Sequence, residues 1–349
     1  MKKLVVTLIT LFIILGVAVV GILVTDYMAD DTTSQSPGLI IVQDIIEADE
    51  TLDEFGEALF TIDEGMRLDY ASNPLVLDYE GMSVTLAYES HADNLKNEPS
   101  ANAPVVYSED GLTFVEKEQA GNSVKPKPLL LPDGSYRRYW YDPQEGGVVG
   151  QTSTDAETFT DLDGVFDHIE GGGNIDARTF GVSTYFVDSD GGIVLLYNST
   201  DDDGAIVVNR AYASAENDWM EFVLEKQDIL DGTLESEVYA DPTSLVLENG
   251  DVWLVVMNQG EGPMPPLGRQ GRIHAYVSTD GGDTFAYWGH LFSYDDVTEF
   301  DVYSLNDPKI VEHSDGTLRI YIAAMVKDEE VEAEDEKTGN KYIMISASY

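Results

Sequence analysis

The sequence predicts an all-β fold assembled from five similar strand–turn–strand units. Two observations carry this prediction: a hairpin phrase that recurs five times at nearly even spacing, and a short Ser-x-Asp turn motif that follows four of those hairpins. The composition agrees, because 31 glycines and 19 tyrosines in 349 residues favour a chain rich in turns and strands.

Each copy of the hairpin phrase has a polar residue, usually followed by proline, then an apolar strand, a turn and a second strand that contains an aromatic residue. The polar residues that open the copies are Asn73, Lys127, Ser183, Asp241 and Asp307, spaced 54, 56, 58 and 66 residues apart. Because a lone hairpin is only marginally stable, the five units must pack on one another. A ring of four-stranded blades achieves this and leaves only short sheet edges. The sequence therefore predicts a β-propeller with five blades, or six as the alternative.

The two ends of the chain predict how the ring closes. The fifth unit stops at Tyr349, where its outermost strand should follow, and residues 58–64 resemble the outer strand at 112–118. We expect the N-terminal segment to supply the strand that the last blade lacks.

The turn motif is more specific than the hairpin phrase. It is complete at Ser278-x-Asp280-x-Gly282-x-Thr284-Phe285, one residue shorter from Ser108 and Asp110, altered from Ser153 and Asp155, and degraded near residue 214. In such a turn the aspartate caps backbone N–H groups, glycine permits a positive φ, and the aromatic ring packs between sheets. In this motif, residues 58–349 resemble the sialidase-like superfamily of Asp-box (BNR) propellers. The resemblance implies that these aspartates lie on the outer rim and hold the fold.

In a propeller, ligands bind at one mouth of the central channel, where the innermost strands begin. We expect Asn73, Lys127, Ser183, Asp241 and Asp307 to converge there. Two converging carboxylates are what glycoside hydrolysis requires, so Asp241 and Asp307 are the predicted catalytic residues. The chain is similar here to five-bladed glycosidases of the arabinanase and xylosidase type, although Asn73 stands where those enzymes usually have a catalytic base. The alternative for the two Asp-Pro pairs is a purely structural strand-entry turn.

A sialidase would also need arginines that grip a substrate carboxylate. Arg67 and Arg178 each precede an inner strand by about five residues, so we expect both to reach the channel mouth as substrate-binding residues. The Phe/Tyr-Arg-Ile-Pro signature of sialidases is absent.

The N-terminus predicts an export route. Lys2 and Lys3 precede an apolar run from Leu4 to Val24, which is long enough to span a bilayer, so residues 1–25 are a predicted transmembrane signal-anchor. Residues 26–57 form an acidic stalk, and 58–349 the propeller outside the cell. A cleaved signal, which would release a secreted protein, is the alternative.

The net charge of −46 excludes a polyphosphate partner and predicts no nucleic-acid binding. The chain has no cysteine, and its five histidines show no paired ligand spacing, so no metal site or cofactor is predicted. Asp201–Asp203 could bind calcium but lacks the alternating spacing of a dedicated loop. We expect a monomer that acts on a glycan as a glycoside hydrolase, or, as the alternative, a non-catalytic surface module that binds a glycan or a protein.

Overall fold

The computed structural model of the protein describes residues 57–91, 103–117, 125–142, 144–164, 166–175, 183–200, 206–230, 239–259, 263–328 and 339–349. The predicted anchor, nearly all of the stalk, Arg178 and the segment 201–203 lie outside these ranges. Within them, no helix is long and apolar enough to cross a bilayer. The helical segments there are two 3₁₀ turns, Ala215–Asn217 and Tyr294–Asp296.

The strands form five antiparallel blades, so the prediction of a five-bladed propeller is confirmed and the six-bladed alternative is not. Two short N-terminal strands, β1 (Thr61–Ile62) and β2 (Leu68–Asp69), precede the first complete blade. Blade 1 consists of β3 (Ala71–Glu80), β4 (Ser83–Ser90), β5 (Val105–Ser108) and β6 (Val115–Glu116). Blade 2 consists of β7 (Leu129–Leu130), β8 (Tyr136–Asp142), β9 (Gly147–Ser153) and β10 (Thr160–Asp161). A small hairpin, β11 (His168–Ile169) and β12 (Gly173–Asn174), follows it.

The remaining blades repeat the same order of strands. Blade 3 consists of β13 (Thr184–Val187), β14 (Ile193–Thr200), β15 (Ile206–Ala213) and β16 (Val223–Lys226). Blade 4 consists of β17 (Tyr239–Val246), β18 (Val252–Asn258), β19 (Arg272–Ser278) and β20 (Ala286–Ser293). Blade 5 consists of β21 (Val302–Glu312), β22 (Leu318–Lys327) and β23 (Asn340–Ser348), and β1 and β2 both pair with β23. Residues from the first strand of every blade line one central cavity, so these strands are the innermost.

The ring closes as predicted, with the N-terminal strand in the last blade. Thr61 and Ile62 of β1 lie opposite Ser348 and Ala347 of β23. Asp63 then fastens this edge, because its carboxylate accepts hydrogen bonds from the hydroxyls of Ser346 (2.6 Å) and Ser348 (2.7 Å).

The core lies between blades, and β14 shows why. Side chains alternate between the two faces of a strand, and both faces of β14 are covered. Ile193, Leu195 and Tyr197 pack towards blade 2, whereas Val194 and Leu196 pack towards blade 4, and all five are fully buried. The sequences of the central strands are therefore continuous apolar runs, and the polar side chains lie mainly at strand ends and in turns.

Candidate functional site

Three of the five predicted inner-strand residues share an unusual backbone. Asn73, Asp241 and Asp307 have φ values of 49°, 54° and 55°, and each precedes a proline. A positive φ is costly for residues other than glycine, and asparagine and aspartate tolerate it best. Strained positions of this kind cluster at functional sites, and here three of them belong to the neighbouring blades 4, 5 and 1.

A β-bulge accounts for the conformation at each of these positions. In blade 5, Asn306 pairs with Ala323 and Lys309 with Tyr321, so β21 uses three residues where β22 uses two. The same one-residue excess occurs in β3 before Leu75 and in β17 before Thr243. A bulge re-aims the side chain at its extra residue, and here it turns polar groups towards the neighbouring blade.

The bulges are joined by hydrogen bonds that pass from blade to blade. Asn198 of β14 accepts, through Oδ1, the backbone N–H of Asp241 at 3.1 Å. Asp241 accepts, through Oδ2, the backbone N–H of Asp307 at 3.2 Å. The Asp307 carboxylate in turn accepts the backbone N–H of Asn73. The side chains of Asp241 and Asp307 therefore lie close together and satisfy amides that the bulges release from the sheets.

Burial and mutual repulsion perturb both carboxyl groups. Burial, and then the charge of Asp241, raise the pKa of Asp307 to about 7, although Lys309 opposes this shift. Burial also raises the pKa of Asp241, against the stabilising influence of the Asp307 amide and Lys309. Desolvation lowers the pKa of the Lys309 ammonium, which both aspartates counteract. Two close carboxyls that share one buried cation hold a proton at a pH where isolated carboxyls are ionised.

Sequence reasoning missed three side chains that complete this cluster: Lys309, Glu89 and Tyr342. Glu89 accepts a hydrogen bond from Asn73 Nδ2 at 3.1 Å. Burial, and then the charges of Asp307, Asp241 and Glu89, raise the pKa of Tyr342 to about 12. Lys309 stands two residues after Asp307 and Glu89 lies opposite Ser72, so the hairpin register could have identified both. Tyr342 reaches the site from β23, and no local pattern in the sequence signals that approach.

The channel next to this cluster contains a cavity of about 610 Å³. Lys309, Lys127 and Ser183 all line it, as do the hydroxyl groups of Thr184 and Ser244, which lie 2.7 Å apart. Lys127 does not join the carboxylate cluster: its ammonium lies 3.7 Å from Asp78 Oδ1 and 3.6 Å from the ring centroid of Tyr79. The structure thus brings Asn73, Asp241 and Asp307 together and places Lys127 and Ser183 further along the channel wall.

The expectation that Arg67 reaches the channel mouth is wrong. Its guanidinium donates to the carbonyl oxygens of Leu112 (3.0 Å) and Gly65 (2.8 Å), and Leu112 belongs to the turn between the third and fourth strands of blade 1. The side chain points to this outer turn because β2 pairs with β23, far from the innermost strand. Arg178, the other predicted substrate-binding arginine, lies outside the described residues.

The turn-motif aspartates lie in turns between the third and fourth strands of their blades. Oδ1 of Asp110 accepts the Ser108 hydroxyl and the amides of Leu112 and Thr113, at 2.7–2.8 Å. Oδ1 of Asp280 accepts the Ser278 hydroxyl and the amides of Asp283 and Thr284. The amide of Gly282, whose φ is 88°, donates to the Ser278 hydroxyl, and Phe285 packs against the core between blades 3 and 4.

The shortened motif in blade 2 has the same arrangement. Asp155 accepts the Ser153 hydroxyl and the amides of Glu157 and Thr158. These hydrogen bonds to the ionised form lower the pKa of Asp155 to about 2, and that of Asp280 is likewise lowered to about 2. The turns hold their aspartates as permanent anions at neutral pH.

Among the described residues, no three His, Cys, Asp or Glu side chains converge in a way that could hold a metal ion. The Asp201–Asp203 segment, which the sequence left as a possible calcium-binding segment, is not among those residues.

Comparison with known proteins gives likeness in structure alone. No family model matches the chain, and no curated protein matches it in sequence. An endo-1,4-beta-xylanase from Bacteroides thetaiotaomicron superposes with a TM-score of 0.51 at 14% identity, over 80% of this chain and 91% of that one. An alpha-L-arabinofuranosidase from Podospora anserina, solved with cellotriose, superposes with a TM-score of 0.50 at 14% identity, over 83% and 96%. At this identity the likeness supports the propeller fold, and the site must be argued from its own geometry.

Proposed function

We propose that the protein is a glycoside hydrolase whose active site is the channel mouth at Asp241 and Asp307. One observation carries the proposal: two carboxyls from adjacent blades lie together beside the channel cavity, which Lys309 of the same cluster lines, and the pKa of Asp307 is raised to about 7. Glycoside hydrolysis needs one protonated and one ionised carboxyl at the same pH, and environments that differ supply them.

The geometry assigns a role to each group. Asp307, protonated near neutral pH, donates its proton to the glycosidic oxygen as the bond to the leaving sugar breaks. Asp241, whose carboxylate accepts the Asp307 amide, is assigned as the base that activates water or as the nucleophile. Lys309 limits the repulsion between the two carboxylates once Asp307 has lost its proton. Asn73 positions Asp307 through its backbone amide.

The names of the structurally similar proteins, a xylanase and an arabinofuranosidase, support a glycan as substrate. A sialidase-type reaction has less support, because Arg67 lies at an outer turn and the surrounding carboxylates raise, rather than lower, the pKa of the mouth tyrosine, Tyr342. We further propose that the enzyme acts outside the cell, on the strength of the apolar run Leu4–Val24 behind two lysines.

The alternative is a non-catalytic module that binds a glycan or a protein. One observation favours it: Asp241 and Asp307 accept backbone N–H groups of the neighbouring blade, and this role would be useful without any chemistry.

Turnover of a panel of nitrophenyl glycosides by the full-length chain in mild detergent tests the proposal. We expect hydrolysis of at least one substrate by the wild type, and a loss of at least a hundredfold in kcat for both Asp241→Asn and Asp307→Asn, since general acid–base catalysis contributes about 10²–10⁴-fold. Asparagine preserves an acceptor for the neighbouring amide, so circular dichroism should show an intact fold. Asp155→Asn, on an outer turn, is the matched control and should retain full activity. Equal activity in all variants would assign the aspartates to the fold and place hydrolysis at another site, whereas no turnover of any substrate by the wild type would leave the binding module as the function.

A further inference from the structure

The charged side chains among the described residues that line the channel cavity are all basic. The chain carries 65 acidic and 19 basic residues, yet the described residues that line the cavity include two lysines, Lys127 and Lys309, and no aspartate or glutamate. Because the carboxylates that neighbour these lysines, Asp78, Asp241 and Asp307, do not line the cavity, an anion that enters it meets the ammonium groups first.

Neutralisation of neighbouring carboxylates does not account for both lysines. Lys309 faces Asp241 and Asp307 and offsets their charge. Among the described residues, Asp78 is the carboxylate paired with Lys127, and its side chain is 68% exposed and therefore well solvated without the lysine. Lys127 nevertheless lies half-buried over the ring of Tyr79 and loses hydration there, which lowers its pKa.

The rest of the lining suits a sugar. Thr184 and Ser244 present a pair of hydroxyl groups from blades 3 and 4, and Tyr79 and Tyr185 supply aromatic rings. Few polar groups on a largely apolar wall are typical of small-ligand sites, and a cavity of about 610 Å³ is large enough for sugar units. Lys309 interacts electrostatically with both Asp307 and Asp241 and also lines the cavity. A sugar held at the carboxylate pair can therefore place a ring substituent beside Lys309.

We propose that the channel binds the carboxylate of an acidic glycan, so that the substrate class is a uronic-acid-containing saccharide. The inference rests on the proposed hydrolase function for its reaction, but the binding of the uronate stands independently of it. Lys309 and Lys127 pair with the sugar carboxylate, and the hydroxyls of Thr184 and Ser244 contact the ring. The carboxylate pair at the mouth cleaves the adjoining glycosidic bond.

Two parallel measurements test the inference. The first compares kcat/KM for nitrophenyl glucuronide and galacturonide with the corresponding glucoside and galactoside. The second measures binding of glucuronate and of glucose to the full-length chain by titration calorimetry. Variants Lys309→Gln and Lys127→Gln each remove one ammonium group, and Lys117→Gln, at an exposed site beside Tyr107 on an outer strand, is the matched control for loss of one charge.

We expect glucuronate to bind and glucose to bind far more weakly, with about a tenfold or greater loss of uronate affinity in each channel variant and none in Lys117→Gln. The uronide-to-neutral ratio of kcat/KM should fall in parallel. Since Lys309→Gln leaves Asp241 and Asp307 without their cation and could disturb the fold, Lys127→Gln provides the independent readout.

The two proposals can fail separately. Hydrolysis of neutral glycosides with no preference for uronides, and no effect of either lysine variant, would overturn the inference and leave the hydrolase intact. Lysine-dependent binding of glucuronate without hydrolysis of any glycoside would support the anionic site and refute the hydrolase. Uronate affinity that is unchanged in both lysine variants overturns the inference whatever the enzyme hydrolyses.

Discussion

Asp307 keeps its proton to a pH near 7 because the fold buries it beside a second carboxyl group. A carboxyl whose pKa is raised on folding does not change the free energy of unfolding below its unfolded pKa of about 4, since it is neutral in both states there. As the pH rises from about 4 to about 7, the unfolded chain releases this proton and the native protein does not. Asp307 therefore lowers the free energy of unfolding progressively over that range and by a constant amount above it.

Asp307→Asn removes this titration and keeps a hydrogen-bond acceptor for the Asn73 amide. The difference in unfolding free energy, variant minus wild type, should rise with pH between 4.5 and 7.5, by on the order of 2 kcal/mol after allowance for solvent screening. Urea denaturation at a series of pH values measures it. Asp155→Asn is the control with the opposite sign, because the pKa of Asp155 is lowered to about 2 and its stabilisation is lost only as the pH falls below about 4. A flat difference for Asp307→Asn would show that its carboxyl titrates normally.

At the scale of single residues, the sequence could predict the carboxylate pair but not its surroundings. The two Asp-Pro pairs stand at the start of repeated strands, so the repeat itself places them at one mouth. Tyr342 comes from the third strand of blade 5, and its approach depends on how blades pack rather than on a local pattern. The prediction for Arg67 was wrong because it used only the distance in sequence between Arg67 and β3. That distance does not determine which strand the segment next to Arg67 pairs with, and β2 pairs with β23.

At the scale of elements, buried arginines join three of the blades to the outer turn of the next. Arg137 pairs with Asp218 at 3.0 Å, while Tyr139 donates to the adjacent carbonyl of Trp219. Arg319 donates to the carbonyl of Asp110, while Tyr321 donates to that of Gly111. A third link, from blade 3 to blade 4, is made by Arg210, which donates to the carbonyl of Gly282 and pairs with Asp283 as well as with Glu225 of its own blade. With eight arginines in the whole chain, the fold uses for its own assembly the residues that a sialidase would need at the mouth.

Arg210→Met is expected to lower the free energy of unfolding by about 2 kcal/mol, because it leaves the Gly282 carbonyl and two carboxylates without their buried donor. This loss of unfolding free energy should be smaller than that for breaking a fully buried ion pair, since the partly exposed carboxylates of Glu225 and Asp283 can be solvated instead. Arg269→Met is the matched control: Arg269 pairs with Asp301 at the surface, where such pairs contribute about 0–1 kcal/mol. Urea denaturation of both variants measures the difference. Equal losses of unfolding free energy in the two variants would show that Arg210 does not stabilise the contact between blades 3 and 4.

At the scale of the whole molecule, the ring explains why so much of the fold was predictable. Each blade is a local hairpin followed by a local turn, so the repeat is visible in the sequence without knowledge of distant contacts. Closure follows from the same repeat, because a blade that lacks one strand must obtain it from the other terminus. What the repeat cannot predict is the content of the channel, where each of the five blades contributes two to five residues.

The channel mouth is a property of the complete ring, since Asp241, Asp307 and Asn73 come from three blades that span the closure. Its chemistry depends on Asp307 remaining protonated close to neutral pH, and this dependence gives the central claim its most direct test. The measurement is the pH dependence of kcat/KM for the best glycoside substrate, with Asp280→Asn, on an outer turn, as the control. Loss of activity on the alkaline side with an apparent pKa near 7, unchanged in Asp280→Asn, is the predicted result. Activity that stays constant to pH 9, or an absence of turnover at every pH, would contradict the assignment of the mouth as a hydrolytic site.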